Sequence, residues 1–265
     1  MYGFSLFNRG FNHDLNSGIQ SLERIDNRLS VLELQTIAIV TSPYGEKFAI
    51  PRQPGLVPAA RGQIKMQGAF NNPDCLAGLE AFSHIWLQFI FHQTAAQGWK
   101  PKVRPPRLGG NAKIGVFASR STFRPNPIGL SVVRLHGIHS ERSATGTQWF
   151  LEVSGLDLLD GTPIVDIKPY IAYSDAIVDA QSGYAAQAPT MMPVRFSANA
   201  EAQLVSMTNA AELQTLITQV LAQDPRPAVQ QCSSSARVYG VRLAGLNVQW
   251  QVEDNTAIVT AVEHC

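Results

Sequence analysis

Between Thr36 and Tyr170 the apolar residues come in short runs punctuated by proline and glycine. Thr36–Thr41 (TIAIVT) stops at Ser42-Pro43. His84–Phe91 (HIWLQFIF), Gly115–Ala118 (GVFA), Leu130–Leu135 (LSVVRL) and Trp149–Ser154 (WFLEVS) follow. These runs are too short for ordinary helices and rich in the β-branched and aromatic residues that suit a pleated, half-buried surface. His84–Phe91 is apolar enough to predict a buried strand. The loop Pro43–Pro58 holds four prolines and two glycines, and Pro73-Asp74 opens a helical turn through Leu79. Many short strands with little helix predict a compact β-barrel or sandwich core.

The pattern changes after about Pro193. Ala198–Thr208 and Ala211–Gln223 read as helices; in the second, Leu213, Leu216, Ile217, Val220 and Leu221 mark one apolar face. Asp224-Pro225-Arg226-Pro227 ends it. Strand signals follow at Arg237–Leu243, Asn247–Glu253 and Ala257–Glu263, the last two joined by a hairpin signal at Asp254-Asn255-Thr256. The predicted class is α+β: a mainly-β, barrel-like domain over 35–181, a linker over 182–195, and a small α+β domain over 196–265. Residues 1–34 read as an extension, with one short amphipathic helix marked by Ile19, Leu22, Ile25, Leu29 and Leu32.

Composition narrows the function. With 265 residues and 45% hydrophobic residues the chain can bury a core, so disorder is excluded. No apolar run reaches the 18 residues of a membrane span, and the first 35 residues lack a secretory h-region. Three cysteines (Cys75, Cys232, Cys265) without a C-x-x-C predict neither a disulfide framework nor a thiolate zinc site, and fit a reducing cytoplasm. The net charge of +1 hides an asymmetry. The 60 residues between Glu80 and Glu141 contain no acid and eight lysines and arginines. The rest of the chain carries thirteen basic against twenty acidic residues. Such a basic region fits a polyanionic partner, or else pairs with acids from elsewhere in the fold.

The common chemical signatures are absent: no P-loop, no G-x-G-x-x-G after a strand, no G-x-S-x-G, no H-E-x-x-H. His136 and His139 form an H-x-x-H pair without a further ligand at metal spacing, so no metal site is expected. Four segments remain. Pro51-Arg52-Gln53 puts a guanidinium and an amide on a stiffened loop, suited to carboxylate, phosphate or base-edge recognition, or to nothing more than a surface turn. His92-Gln93, at the end of an apolar strand, reads as a pocket mouth or as a capping pair. Arg104 to Gly129 sets Arg104, Arg107, Arg120 and Arg124 among prolines, with Phe117 and Phe123 interleaved. Proline lowers the entropy lost in holding such side chains in place, so this stretch reads as an anion site with base-stacking capacity, or as no more than a stiffened loop with scattered surface arginines. Asp160 to Tyr170 gathers Asp160, Asp166, Lys168 and Tyr170, with a strand at Val165–Ile167 that points Asp166 away from its apolar neighbours. A carboxylate there could bind a diol, stabilise a cation or accept a proton, or form only a surface pair with Lys168.

Taken together the segments SPYGEKFAIPRQPG, GLEAFSHIWLQFIFHQ, VRPPRLGGNAKIGVFASRSTFRPNPIGLS and LDLLDGTPIVDIKPY resemble, in order, the TsaA-like (TrmO) family of tRNA N6-methyltransferases. The C-terminal part, with LAQDPRPA and the closing strands, resembles the type carrying an added small domain. The resemblance implies a β-barrel unrelated to Rossmann methyltransferases. It also implies a cytoplasmic homodimer binding S-adenosylmethionine near the subunit interface, and a tRNA partner bearing N6-threonylcarbamoyladenosine at position 37. It places cofactor contacts on Pro51, Arg52, Gln53, His92, Gln93, Arg120, Leu130, Asp160, Gly161, Thr162 and Pro163. A proton must leave N6; Asp160, Asp166 or Tyr170 could accept it, or the pocket could stabilise the anionic nitrogen. Arg107, Arg124 or Lys168 could hold the threonyl carboxylate. Two other readings use the same residues: a non-catalytic RNA clamp, and a barrel that binds a nucleotide-like ligand without reacting.

Overall fold

A computed structural model describes residues 32–109, 112–226 and 237–265. The elements all belong to one unit, Thr36–Cys265. Apart from Leu32, the amphipathic segment from Ile19 lies outside the described residues, as do Pro227 and Cys232. Cys75 and Cys265 are free and exposed.

The strands in chain order are β1 (Ala38–Thr41), β2 (Arg61–Met66), β3 (His84–Ile90), β4 (Lys102–Val103), β5 (Ile114–Gly115), β6 (Ile128–Ser143), β7 (Gly146–Ser154), β8 (Pro163–Pro169), β9 (Val194–Phe196), β10 (Tyr239–Leu243), β11 (Leu246–Glu253) and β12 (Thr256–His264). Six close into a barrel in the order β1-β2-β7-β6-β3-β8. Every pairing in it is antiparallel, and β8 returns to β1 through Ala38↔Ile164. Closure removes the unpaired edges that an open sheet would present. Inward positions alternate along each strand: Ala38 and Val40, Ile85 and Leu87, Val133 and Leu135, Leu151 and Val153 are all buried.

Several expectations change. His84–Phe91 is buried on alternate residues only, so β3 lines the barrel with one face and offers Trp86, Gln88 and Ile90 outward. Strand β2 (RGQIKM) carries no clear apolar signal and is not among the strands expected from sequence. Only Ile114–Gly115 of the GVFA region is strand. Val116–Ala118 is a 3₁₀ turn, because the Val116 carbonyl accepts from both the Ser119 N–H and the Ser119 hydroxyl. Strand β6 runs well past Leu135, through an irregularity between Leu135 and Gly137 that shifts its register on β7. His92-Gln93 lie on a one-turn helix, His92–Ala95, beyond the end of β3.

The C-terminal sheet has the order β10-β11-β12-β9, with β9 parallel to β12. Strand β9 takes Val194 and Arg195 out of the segment read as linker, and the Met192 N–H donates to Ala222 O at 2.7 Å. Helices α1 (Ala198–Val205) and α2 (Ala210–Leu221) belong to this part of the chain; Ser197 caps α1 by accepting from the Ala200 N–H. In α2, Leu216, Ile217, Val220 and Leu221 are buried, as the 3.6-residue pattern predicts. Asp254 and Asn255 join β11 to β12 with φ of 45° and 57°, the left-handed pair that matches strand twist in a two-residue hairpin.

The loop between β1 and β2, which carries Pro51-Arg52-Gln53, is fastened to this C-terminal part. Tyr44 bridges to Leu243, the Ala244 N–H donates to Pro43 O, and the Arg242 N–H donates to a Glu46 carboxylate oxygen. At its far end the Ala59 N–H donates to Gln219 Oε1 on α2 at 2.9 Å.

Candidate functional site

A cavity of about 590 Å³ opens where the β1–β2 loop, the end of β3, the basic proline-rich loop and the start of β6 meet. Its apolar walls come from Ile50, Phe89, Ile128, Leu130 and Leu158. Leu130 faces outward on β6, as its place in the alternation requires, and is 53% exposed. An exposed leucine in a cavity wall is suited to a flat apolar ligand face. Across it, the Arg120 guanidinium donates to Gln53 Oε1, closing 67 residues of chain and fixing both polar heads at the rim. Prolines on both loops limit the entropy lost in holding that geometry.

Of the residues picked out from the sequence, the cavity is lined by Pro51, Arg52, Gln53, His92, Gln93, Arg120, Leu130, Thr162 and Arg124. Arg124 is also a strut: its Nη1 donates to the carbonyls of Ser119 (2.7 Å) and Val116 (3.3 Å). The remaining candidates lie outside this lining. Asp160 accepts from the Ser42 N–H at 2.9 Å, while its own N–H donates to Tyr44 O. Gly161, at φ 76°, lets the chain reverse so that its N–H reaches Val40 O, and Pro163 opens β8. These contacts weld the Asp160–Pro163 turn to the loop after β1. Asp166 is held by Lys168 (2.6 Å) and Gln88 (3.3 Å). Tyr170 packs on Trp86, with ring centroids 5.7 Å apart.

Arg107 lines a second groove, of about 810 Å³, which shares Arg52, Gln53, Ser119 and Arg120 with the first cavity. Its lining adds Arg104, Phe117 and Tyr184, and contains no acid among the described residues. The Phe117 ring is 78% exposed, and the Arg107 guanidinium donates to Gln187 O at 2.6 Å. Arginines with exposed rings form the combination that binds phosphodiester and stacks bases. His136 and His139 serve the fold instead: His136 Nε2 is hydrogen-bonded to Ser154 Oγ, and His139 stacks on Phe150.

The sequence reading missed Asp157. Its carboxylate lines the first cavity and accepts from the Ser131 hydroxyl at 2.6 Å. Burial pushes its pKa up to about 6, against the lowering pull of Ser131, its own N–H and Arg120. Nearby, the buried Tyr44 hydroxyl has no hydrogen-bond partner among the described residues. Burial and the Asp157 charge both raise its pKa far above the usual phenol value. The one signal in the sequence is an acid set between leucines in LDLLDG, an odd place for a solvated side chain.

Comparison with known proteins agrees across the whole of this unit. Residues 39–176 match the family model of the tRNA-methyltransferase O N-terminal domain, and residues 189–265 that of the TrmO C-terminal domain. A tRNA (adenine(37)-N6)-methyltransferase of Escherichia coli is 47% identical over 237 residues, covering 89% of this chain and 99% of that protein. A Pseudomonas aeruginosa protein whose name carries an inferred S-adenosylmethionine-dependent methyltransferase activity is 49% identical, covering 81% and 90%. A crystal structure of TrmO from Pseudomonas aeruginosa superposes with a TM-score of 0.69 at 40% identity, over 88% of this chain and 99% of that one. With both halves matched in order and the closed barrel shared, the chain belongs to the TrmO family of tRNA methyltransferases.

Proposed function

We propose that the protein transfers a methyl group from S-adenosylmethionine to N6 of adenosine 37 in tRNA, and that the acceptor carries the N6-threonylcarbamoyl group. The observation that carries this reading is the family match over residues 39–176 and 189–265, joined to a cavity whose lining suits the donor. S-adenosylmethionine presents a carboxylate, an ammonium, a sulfonium, a ribose and an adenine. Arg52 or Arg120 can fork the carboxylate, and Leu130 and Phe89 offer apolar surface to the base. When bound, the donor supplies an electrophilic methyl on sulfur. The chain's own part is to orient that methyl and N6 in line, exclude water and remove the N6 proton.

The arginine-lined groove is proposed to take the anticodon-loop backbone beside the reacting nucleotide. Of the three cations considered for the threonyl carboxylate, Arg107 suits best. Lys168 is paired to Asp166, and Arg124 is engaged with two carbonyls. Arg107 spends one of its five N–H groups on Gln187 O, which leaves a fork free. A homodimer is proposed as well: Ile177 and Val178, at 68% and 100% exposed, form an apolar segment that a second copy would cover. Cytoplasmic residence follows from the substrate.

Nucleoside mass spectrometry tests the proposal. Protein, S-adenosylmethionine and tRNA bearing N6-threonylcarbamoyladenosine should yield that nucleoside heavier by one methylene. No gain, with donor binding intact, points to another acceptor. Loss of both favours the RNA clamp.

A further inference from the structure

Among the described residues lining the first cavity, Asp157 provides the one carboxylate, in the company of Lys47, Arg52, Arg120 and Arg124. Its neighbours Leu156 and Leu158 are both 1% exposed, so the backbone on either side is anchored in the core and the side chain is held at the cavity wall. Ser131, 2% exposed on the inward face of β6, fixes the carboxylate through Oδ1. The other acids considered are engaged elsewhere: Asp160 with the Ser42 N–H, Asp166 with Lys168 and Gln88.

We infer that Asp157 is the catalytic base that takes the proton from N6 of the acceptor adenine. The step rests on the proposed methyl transfer. The N6 proton passes to a carboxylate oxygen of Asp157, the N–H electron pair forms the new N–C bond, and the C–S pair departs with sulfur as a neutral thioether. Burial supplies the basicity: with its pKa at about 6, the carboxylate is ionised at neutral pH yet a far stronger base than a solvated aspartate. The groups facing it are the Ser131 hydroxyl from β6, the Arg120 guanidinium from the basic loop and the Tyr44 ring from the loop after β1.

Three measurements on the full chain test this: single-turnover methyl transfer to modified tRNA between pH 5 and 8 at saturating donor, calorimetric affinity for S-adenosylmethionine, and NMR titration of the Asp157 carboxyl. The wild-type rate should rise with pH through about 6 and level off, with the carboxyl titrating there. D157N should lose about a hundred- to ten-thousand-fold in the chemical step while donor affinity holds within about threefold. S131A keeps the base but removes a hydrogen bond that lowers its pKa, so the rising limb should move to higher pH. D157N transferring methyl within fivefold of wild type overturns the inference. So does loss of donor binding in D157N with the chemical step intact at saturation, which makes Asp157 a donor anchor. An acid limb abolished by H92A and not by D157N makes His92 the base instead. Should D157N fail to fold, an unmoved limb in S131A overturns it alone. Wild-type protein that transfers no methyl overturns the proposed function and this step together.

Discussion

Replacing Asp157 by asparagine keeps the shape and an acceptor for Ser131 but removes the charge, and that makes the cost of this site measurable. Burial lifts the carboxyl from 3.8 to about 6, more than Ser131, the residue's own N–H and Arg120 can offset. A native pKa above the unfolded one means that the folded chain binds the proton more tightly. The stability gained from that difference is complete below 3.8 and is lost as pH rises through about 6. At about 1.36 kcal/mol for each tenfold change in proton affinity, the ionised group costs the native state about 3 kcal/mol at pH 8 and about half that at pH 5. D157N should therefore be the more stable protein at pH 8, by up to about 3 kcal/mol less the cost of burying an amide, and its advantage should shrink towards pH 5. Urea unfolding of both proteins at pH 8, 6.5 and 5 reads the difference, in which other titrating groups cancel. A difference that stays constant, or that grows as pH falls, refutes the reasoning.

Gly129 on β6 lies opposite Phe89 on β3, and a Cβ added there would meet three atoms of the Phe89 ring, the farthest at 2.9 Å. G129A should destabilise by about 1–3 kcal/mol, and F89L in the same chain should recover much of that; strictly additive losses in the double-mutant cycle would refute it. R104A should weaken tRNA binding and flatten its salt dependence by about one unit of slope, and R107A should weaken binding of tRNA that bears the threonylcarbamoyl group more than of tRNA without it, both with S-adenosylmethionine affinity unchanged. Filter binding across a salt series checks this, and an unaltered slope would remove the groove from the RNA path. N255G, at φ 57°, relieves a left-handed residue in the β11–β12 turn and should stabilise by about 0.5 kcal/mol, seen as a small rise in Tm; a fall would contradict the turn assignment.

What was legible in the sequence is whatever the local chain decides alone. β3, β7, β11 and β12 are readable because β-branched and aromatic residues recur along them, and the α2 face because leucines fall at helical spacing. β2 is not, since its inward positions are Gly62, Ile64 and Met66. A Cβ at Gly62 would stand 2.6 Å from Thr41 O and 2.7 Å from Leu156, so barrel closure selects a residue that reads locally as a break. GVFA fails the other way: strand composition, overruled by a turn in which the Ser119 N–H and hydroxyl both close on the Val116 carbonyl. The site divides along the same line. Arg52, Gln53 and Arg120 stand on loops that their own prolines stiffen, so residue type and context point to them even though their meeting does not. Asp157 has no such context. Its position at the cavity wall exists only because β6 pairs with β3, turning Ser131 inward opposite Leu87 and within reach of the carboxylate. A residue that recognises a ligand can be advertised by its own loop. One whose basicity depends on burial becomes visible only once the fold that buries it has closed.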